Sequence, residues 1–196
     1  MTVEDIRERL RGKLESERIA HCERTADTAR ELAVKYGANP DKAYLAGLLH
    51  DCAKALPADE ILLRAQASGM ALSLGQIEEP FSMLHGQVGG LVAREEYGVE
   101  DSDVLQAISR HQSGAADMTL LDNIVRLADG IEPRRGSEAA KAMRELAQTG
   151  VEEALLHWFR STMPELVRRG FYLEPGSAVY YNQLIHAVQA KRQQNE

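Results

Sequence analysis

Two adjacent polar residues, His50 and Asp51, interrupt the apolar segment LAGLLHDCAKAL. Burying a polar group without a partner costs roughly 1–3 kcal/mol, and burying an unpaired charge costs far more. A bound metal ion would remove this cost, because imidazole and carboxylate are ligands that iron, manganese and zinc accept. Asp129 offers a second carboxylate in another apolar segment, RLADGIEP. These residues therefore indicate a buried metal centre.

The chain contains six histidines, and four of them lie near potential ligands or in unusual positions of helical segments. These four are His21, His50, His85 and His111. A single histidine on an apolar helix is usually a packing residue, so the prediction depends on their joint pattern. His157 and His186, in LLHWF and LIHAV, have no neighbouring carboxylate. We interpret these two as packing or surface residues.

Lys54 follows His50 by four residues and Asp51 by three, so a continuing helix would present it on the side of the metal centre. Fixed positive charge beside a metal centre stabilises an anionic substrate or transition state. We therefore predict that Lys54 has a catalytic role and contacts an anionic group of the substrate. The alternative is a solvated surface charge.

Two further arginines are candidates for contacts with the same anionic group. Arg24 lies one turn beyond the first of the four histidines, and Arg134, like Arg135, follows the helix that carries Asp129. Each could equally be a solvated charge. Glu132, one turn from Asp129, is expected either to orient an arginine or a ligand, or to face water.

The segments that must position these residues have helical patterns. Only 5% of the residues are aromatic, and no segment alternates apolar and polar residues for long enough to predict a strand. Asn39 and Pro40 predict the start of a helix that continues through Lys54 and is broken by Pro57. The segment MLHGQVGGLVAREEYG is also helical in pattern, although its three central glycines cost about 1 kcal/mol each relative to alanine. That cost indicates close helix packing or the close approach of a ligand.

The composition excludes several classes of protein. A chain of 196 residues with 44% hydrophobic and 27% charged residues is typical of a single soluble globular domain. The net charge of −7 argues against a nucleic-acid polymer as the main partner, although a small nucleotide needs only a local cationic site. No apolar run is long enough for a membrane span, and the N-terminus lacks a signal-peptide core, so we predict a cytoplasmic protein without a membrane partner. Cys22 and Cys52 are interpreted as small core residues.

The order of the candidate ligands, H…HD…D, resembles the signature of the HD-domain metal-dependent phosphohydrolases. The segments LLHDCAK, LHGQVGG, ISRHQSG and MTLLDNIVRLADGIEPRR are similar to the YqeK-like branch of that family, the symmetrical diadenosine tetraphosphate hydrolases. The resemblance implies an all-α fold, an HD-domain helical bundle with additional C-terminal helices. It implies one domain over residues 1–196, with a core of about 15–135 and an extension of about 136–196 after the polar break EPRRGSE.

The resemblance also implies a di-iron centre. The first metal ion would be held by His21, His50, Asp51 and Asp129. The second would be held by His85, His111 and Asp51, which would bridge the two ions. By their chemistry these ligands suit iron, and they also suit manganese or zinc.

The implied reaction is the cleavage of diadenosine tetraphosphate into two molecules of ADP. Asp51 and Lys54 would be the catalytic residues, and the expected substrate contacts come from Lys54, Arg24, Ser113 and Arg134. Three readings of the function stay open. The first is this hydrolase, the second is an HD-type nucleotidase or guanosine-alarmone phosphohydrolase, and the third is a non-catalytic nucleotide- or metal-sensing module. The presence of all six ligands argues against the third. The sequence does not determine the oligomeric state, and a homodimer is compatible with it.

Two departures from the family pattern bear on the substrate. The family commonly has TTG after the fourth histidine, where this chain has Gln112, Ser113 and Gly114, so Ser113 keeps a hydroxyl. The family also commonly has an aromatic residue after the last metal-binding aspartate, where this chain has Gly130. The preferred nucleotide could therefore differ. Four aromatic residues elsewhere could stack on a base but are interpreted as core-packing residues: Trp158, Tyr172, Tyr180 and Tyr181.

Overall fold

The computed structural model describes residues 1–194, which form twelve α-helices and one short 3-10 helix, Cys52–Ala55. These residues contain no β-strand, which confirms the predicted all-α fold. None of the helices among them is long and apolar enough to cross a membrane. In chain order the α-helices are α1 (Val3–Arg11), α2 (Ser16–Tyr36), α3 (Pro40–Leu49), α4 (Ala58–Ala67), α5 (Leu74–Glu78), α6 (Pro80–Met83), α7 (His85–Tyr97), α8 (Ser102–Arg110), α9 (Leu120–Ile131), α10 (Glu138–Leu146), α11 (Val151–Arg168) and α12 (Pro175–Gln194).

Helices α2 and α3 pack closely along their length. Where they cross, a Cβ atom on Gly47 would lie 2.8 Å from the Cα atom of Ala26. Only glycine allows two backbones to approach in this way. The close approach brings His21, on α2, next to His50, at the end of α3.

Helix α3 begins as predicted but ends earlier. The Asn39 side chain accepts hydrogen bonds from two backbone N–H groups of the first turn, and Pro40 occupies the first helical position. The prediction that this helix continues through Lys54 is wrong, because the α-helix ends at Leu49 and a 3-10 helix follows.

Helix α3 ends at Leu49 because the His50 side chain occupies a backbone acceptor that the next helical turn would use. His50 Nδ1 lies 2.7 Å from the carbonyl oxygen of Gly47, the acceptor that the Asp51 N–H group would use if the helix continued. Asp51 then adopts a turn conformation with φ −103° and ψ 13°. The side chains of His50 and Asp51 consequently point to the same region of the interior. On a regular helix, two neighbouring side chains point about 100° apart, so they converge less readily.

The glycines of α7 let this helix pack closely against its neighbours, as their cost predicted. A Cβ atom on Gly89 would lie 3.3 Å from the Cγ2 atom of Ile108 and 3.5 Å from the carbonyl oxygen of His50. A Cβ atom on Gly86 would lie 3.4 Å from the imidazole of His111. Glycine at these positions therefore allows α7 to lie directly against His50 and His111, two of the predicted ligands.

The C-terminal helices form a second layer, in which α10 and α11 pack on α9 and α12 packs on α11. The core-packing interpretation is confirmed for Tyr180, which is fully buried and donates its hydroxyl to Asn123 Oδ1 at 2.6 Å. It is wrong for Tyr172, whose exposed side chain donates a hydrogen bond to Glu78. Trp158 and Tyr181 are half-buried. Both cysteines are buried in the core, as predicted.

Candidate metal centre

The six predicted ligands meet in the interior of the helical bundle, where α2, α7 and α9 surround the ends of α3 and α8. Five of the six are buried, and Asp129 is partly exposed. The six residues are His21, His50, Asp51, His85, His111 and Asp129. The two histidines that the sequence set apart lie elsewhere: His157 is half-buried on α11 and His186 is exposed on α12.

One group of ligand atoms comes from α2, α9 and the end of α3. His21 Nε2 lies 3.1 Å from Asp129 Oδ1 and 3.2 Å from His50 Nε2. The distance from His50 Nε2 to Asp129 Oδ1 is 3.8 Å. These three atoms lie close enough together to hold one metal ion.

A second group surrounds the other side of Asp51. Asp51 Oδ1 lies 3.6 Å from His85 Nε2 and 3.8 Å from His111 Nε2. Asp51 Oδ2 faces the first group and lies 3.5 Å from His50 Nε2. The carboxylate of Asp51 therefore stands between the two groups, with one oxygen turned to each. The atoms of His50, Asp51 and His111 form the second arrangement that could hold a metal ion.

Each histidine is held by its other ring nitrogen. Nδ1 of His50, His85 and His111 lies 2.7, 3.1 and 2.8 Å from the backbone carbonyl oxygens of Gly47, Phe81 and Ile108. Since a carbonyl oxygen only accepts hydrogen bonds, Nδ1 carries the proton and Nε2 presents its lone pair to the centre. This is the arrangement by which proteins orient metal-binding histidines.

The surroundings keep the ligands in the protonation states that metal binding requires. Burial lowers the pKa of His111 to about 3. Burial, together with the positive charge of Lys54, lowers the pKa of His85 to about 4. Burial opposes ionisation of Asp51, but His50 and Lys54 outweigh this effect and hold the pKa of the carboxyl below its usual value.

The donor set fits a metal ion better than it fits a purely hydrogen-bonded cluster. Asp51 Oδ1 is buried and accepts no hydrogen bond within residues 1–194, although Lys54 Nζ lies 3.0 Å away. The Nε2 lone pairs of four histidines face this carboxylate and one another. Nitrogen lone pairs that face one another and a carboxylate are unfavourable, whereas a cation satisfies all of them at once.

Basic side chains surround the acidic ligands. Two of them contact Asp51, and the sequence predicted only one of these two. Lys54 Nζ lies 3.0 and 3.1 Å from the two Asp51 oxygens. Arg18 Nη1 lies 2.9 Å from Asp51 Oδ2, and sequence reasoning missed this residue. Its signal was its position three residues before His21, which places both on one face of α2.

The two arginines that follow α9 have different positions. Arg135 contacts Asp129, with Nη2 2.6 Å from Oδ1 and Nε 2.9 Å from the backbone carbonyl oxygen. Arg134, the candidate chosen from the sequence, is largely exposed and lies 3.5 Å from Glu17. Arg135 is therefore nearer to the metal centre than Arg134.

Glu132 faces inward, which resolves the alternatives that the sequence left open. Its Oε1 lies 3.3 Å from His21 Nδ1, and its Oε2 accepts a hydrogen bond from Arg24 Nε at 2.6 Å. Burial opposes ionisation of Glu132, but the hydrogen bonds from Arg24 and from the Arg134 N–H group lower its pKa to about 2. Arg24 consequently holds Glu132, and Glu132 holds His21.

Two grooves lie at the surface beside the centre, and Arg18 lines both of them. One is also lined by His21, Arg24, Arg134 and Arg135. The other is also lined by Lys13, Lys54 and Phe81. Ser113, the remaining predicted contact, is buried two residues after His111, and its carbonyl oxygen accepts a hydrogen bond from Ser177 on α12.

The chain is also similar in sequence to known proteins. Residues 18–134 match the HD domain family. The chain is 33% identical to a protein of Bacillus subtilis named symmetrical bis(5'-nucleosyl)-tetraphosphatase, over 90% of this chain and 94% of that protein. A protein of Halalkalibacterium halodurans with the same name is 36% identical over 88% of this chain and 91% of its own length.

A solved structure is also similar. It is the crystal structure of a predicted HD superfamily hydrolase involved in NAD metabolism from Clostridium acetobutylicum. The TM-score is 0.91 at 34% identity, and the match covers 95% of this chain and 98% of the other.

Proposed function

Because the chain belongs to the HD domain family, we propose that it is a metal-dependent hydrolase that cleaves dinucleoside tetraphosphates symmetrically, diadenosine tetraphosphate giving two molecules of ADP. The family membership and the names of the relatives in Bacillus subtilis and Halalkalibacterium halodurans support this reaction. The observation that carries it is the Asp51 carboxylate, buried between two groups of histidine nitrogens with one oxygen turned to each. A cytoplasmic location and a homodimeric state stay predictions.

Two metal ions would occupy the centre. His21, His50, Asp51 and Asp129 would hold the first, and His85, His111 and Asp51 would hold the second. Iron is the metal that we propose, with manganese and zinc as the alternatives that the same ligands accept. When bound, such ions polarise phosphoryl oxygens and lower the pKa of water.

The protein's own side chains would stabilise the charge of the tetraphosphate. Lys54 and Arg18 both contact Asp51, and both line the groove that also contains Lys13 and Phe81. Fixed cations there stabilise the charge that develops on the phosphoryl oxygens without reorganising during the reaction. Lys54 is accordingly proposed as a catalytic residue that contacts phosphate.

Three other residues are proposed on the substrate side. Arg134 is exposed in the groove beside His21 and is free to contact the outer phosphates. Arg24 is proposed to act chiefly by positioning Glu132, since its Nε donor is already used there. Ser113 contributes its hydroxyl from the segment that follows His111.

Symmetrical cleavage requires water to attack one of the two inner phosphorus atoms. The water oxygen forms a bond to that phosphorus, the bond to the central bridging oxygen breaks, and the bridging oxygen leaves with the second ADP. The proton of the water is released to solvent. Since each product keeps two phosphates, the two molecules are chemically identical.

The test is product analysis with iron-loaded protein and diadenosine tetraphosphate in heavy-oxygen water. We expect ADP as the sole nucleotide product, with label in the terminal phosphate of one of the two molecules formed. AMP together with ATP would contradict the proposed bond. Parallel assays with mononucleotides and guanosine alarmones test the second reading. Metal binding without hydrolysis of any nucleotide would favour the sensing module.

A further inference from the structure

A cavity of about 160 Å³ lies beside the metal centre, between α9 and the C-terminal helices α10 and α11. Its walls include Gly130, Met143, Leu155 and Trp158, and Asp129 and His111 line it on the side of the metal centre. The cavity is thus mostly apolar and directly adjoins two predicted metal ligands. Arg126 of α9 also lines it and is its one cationic side chain among the residues that the structure describes.

Arg126 is a buried cation that has no salt-bridge partner within residues 1–194, and it is only 7% exposed. Nη1 donates to the backbone carbonyl oxygens of His111 and Gln112. The guanidinium carbon lies 4.8, 5.6 and 5.5 Å from the ring centres of Trp158, Phe159 and Tyr180. Carbonyl oxygens and aromatic rings therefore stabilise this charge in place of a carboxylate.

The guanidinium keeps donors for a ligand. Both of its hydrogen bonds use Nη1, and in the part of the chain that the structure describes neither Nε nor Nη2 has an acceptor. Arginine has five N–H donors in a fixed planar arrangement. Several of them are therefore available to acceptor atoms of a molecule that enters the cavity.

Gly130 keeps the cavity open. A Cβ atom at this position would lie 3.1 Å from Met143 Cε, so any larger side chain would extend toward the space that the cavity occupies. The cavity therefore depends on the absence of a side chain at Gly130.

The size and lining of the cavity indicate a flat heteroaromatic group. An apolar cavity of about 150 Å³ can accommodate a benzene ring, so this one has room for most of a base and not for a whole nucleotide. Purines offer ring nitrogens and, in guanine, a carbonyl oxygen as acceptors for arginine. A phosphate group would pair with Arg126 but would also meet apolar walls and the carboxylate of Asp129, which repels it.

We propose that this cavity binds the purine base of one nucleoside diphosphate half of the substrate, with Trp158 as its wall and Arg126 as the residue that recognises the acceptor atoms of the base. This inference rests on the proposed function. The ribose and phosphates would extend past Asp129 toward the groove lined by Arg135, which contacts the same carboxylate.

Trp158 is the only tryptophan in the chain, so its fluorescence reports on the cavity directly. The metal-loaded protein would be titrated with ADP, GDP and pyrophosphate. We expect a saturable change in tryptophan fluorescence with the two nucleotides and none with pyrophosphate, which lacks a base. An equal change with pyrophosphate would overturn the proposal, since the signal would then follow the phosphates.

The variant Gly130→Leu tests the space itself. We expect it to abolish the nucleotide-dependent fluorescence change and to raise KM for diadenosine tetraphosphate about tenfold, with a smaller change in kcat and unchanged metal content. The control Ala58→Leu adds the same side chain at an exposed position at the start of α4. Unchanged KM and fluorescence response in a metal-replete Gly130→Leu protein would refute the assignment.

Arg126→Lys provides a second test, because lysine keeps the charge but loses the planar donors. We expect a changed ratio of ADP to GDP affinity, and an unchanged ratio in folded protein would argue against recognition by Arg126. The same experiments distinguish failure of the proposed function from failure of this inference. If the wild type bound ADP at Trp158 but released no ADP from diadenosine tetraphosphate, base binding in the cavity would be supported and the proposed reaction would be wrong.

Discussion

Glu132 Oε1 lies 3.3 Å from His21 Nδ1, although the two residues are 111 positions apart in the chain. Arg24 holds the other oxygen of the same carboxylate at 2.6 Å. His21 differs in this respect from the other three histidines, whose Nδ1 atoms face backbone carbonyl oxygens. Its orientation therefore depends on a side chain that mutation can remove.

We expect Glu132→Ala to weaken metal binding by about 10–100-fold, the usual effect of removing a group that orients a metal ligand. Titration of the metal-free protein with the metal, followed by calorimetry, measures this loss. Glu132→Gln keeps one carbonyl acceptor for Nδ1 and should retain more affinity than Glu132→Ala. Equal affinities in the wild type and in both variants would show that His21 does not need this contact.

Asp51→Ala should remove both metal ions, because the two oxygens of this carboxylate face the two groups of ligands. His85→Ala should remove chiefly one, since His85 lies beside Asp51 Oδ1 alone. Elemental analysis after purification gives the number of ions per chain. His186→Ala, at an exposed position on α12, is the matched control and should keep full occupancy. Full occupancy in Asp51→Ala would exclude the bridging role.

Lys54→Ala should keep the metal but lower kcat, with KM little changed. The reason is that we assign Lys54 to charge that develops in the transition state, and such a loss appears in kcat. Lys141→Ala removes an exposed lysine that forms an ion pair with Glu138 on the adjacent turn, and it should be kinetically silent. If steady-state kinetics found Lys54→Ala equally silent, Lys54 would be a solvated charge.

Gly47→Ala should destabilise the fold by roughly 1–3 kcal/mol, because the added methyl group would meet the backbone of Ala26 and force α2 and α3 apart. Urea unfolding of the metal-free protein measures this change. Metal affinity should fall as well, since His21 and His50 lie on the two separated helices. At Gly12 an added Cβ would have its nearest neighbour at 3.5 Å, an ordinary contact, so Gly12→Ala is the control. An unchanged metal affinity in Gly47→Ala would show that metal binding does not depend on the spacing of α2 and α3.

The chemical identity of the centre could be predicted from local patterns. A histidine and an aspartate in an apolar segment are costly to bury, so the type of ligand follows from residue type and context alone. The all-α class follows equally locally, from the helical spacing of apolar residues and the lack of alternating segments. The glycines of α7 predicted close helix packing or the close approach of a ligand, because the free-energy cost of glycine in a helix must be offset by other contacts.

Other features could not be predicted, because they depend on how distant helices meet. The end of α3 at Leu49 results from a histidine side chain that competes for a backbone acceptor, which a periodic pattern does not reveal. The position of Arg135, rather than Arg134, against Asp129 is decided by the path of the chain after α9.

The cavity at Gly130 is the clearest case. The sequence by itself predicts imidazole and carboxylate ligands, and it has a glycine at this position. Whether the missing side chain left an open space depended on α10 and α11, which supply Met143 and Trp158 from residues far along the chain. Periodicity determines which face of a helix is apolar, whereas the distances between faces are set by the packing of all the helices together. Only the tertiary structure could therefore decide that Asp129 stands between the candidate metal centre and an open cavity.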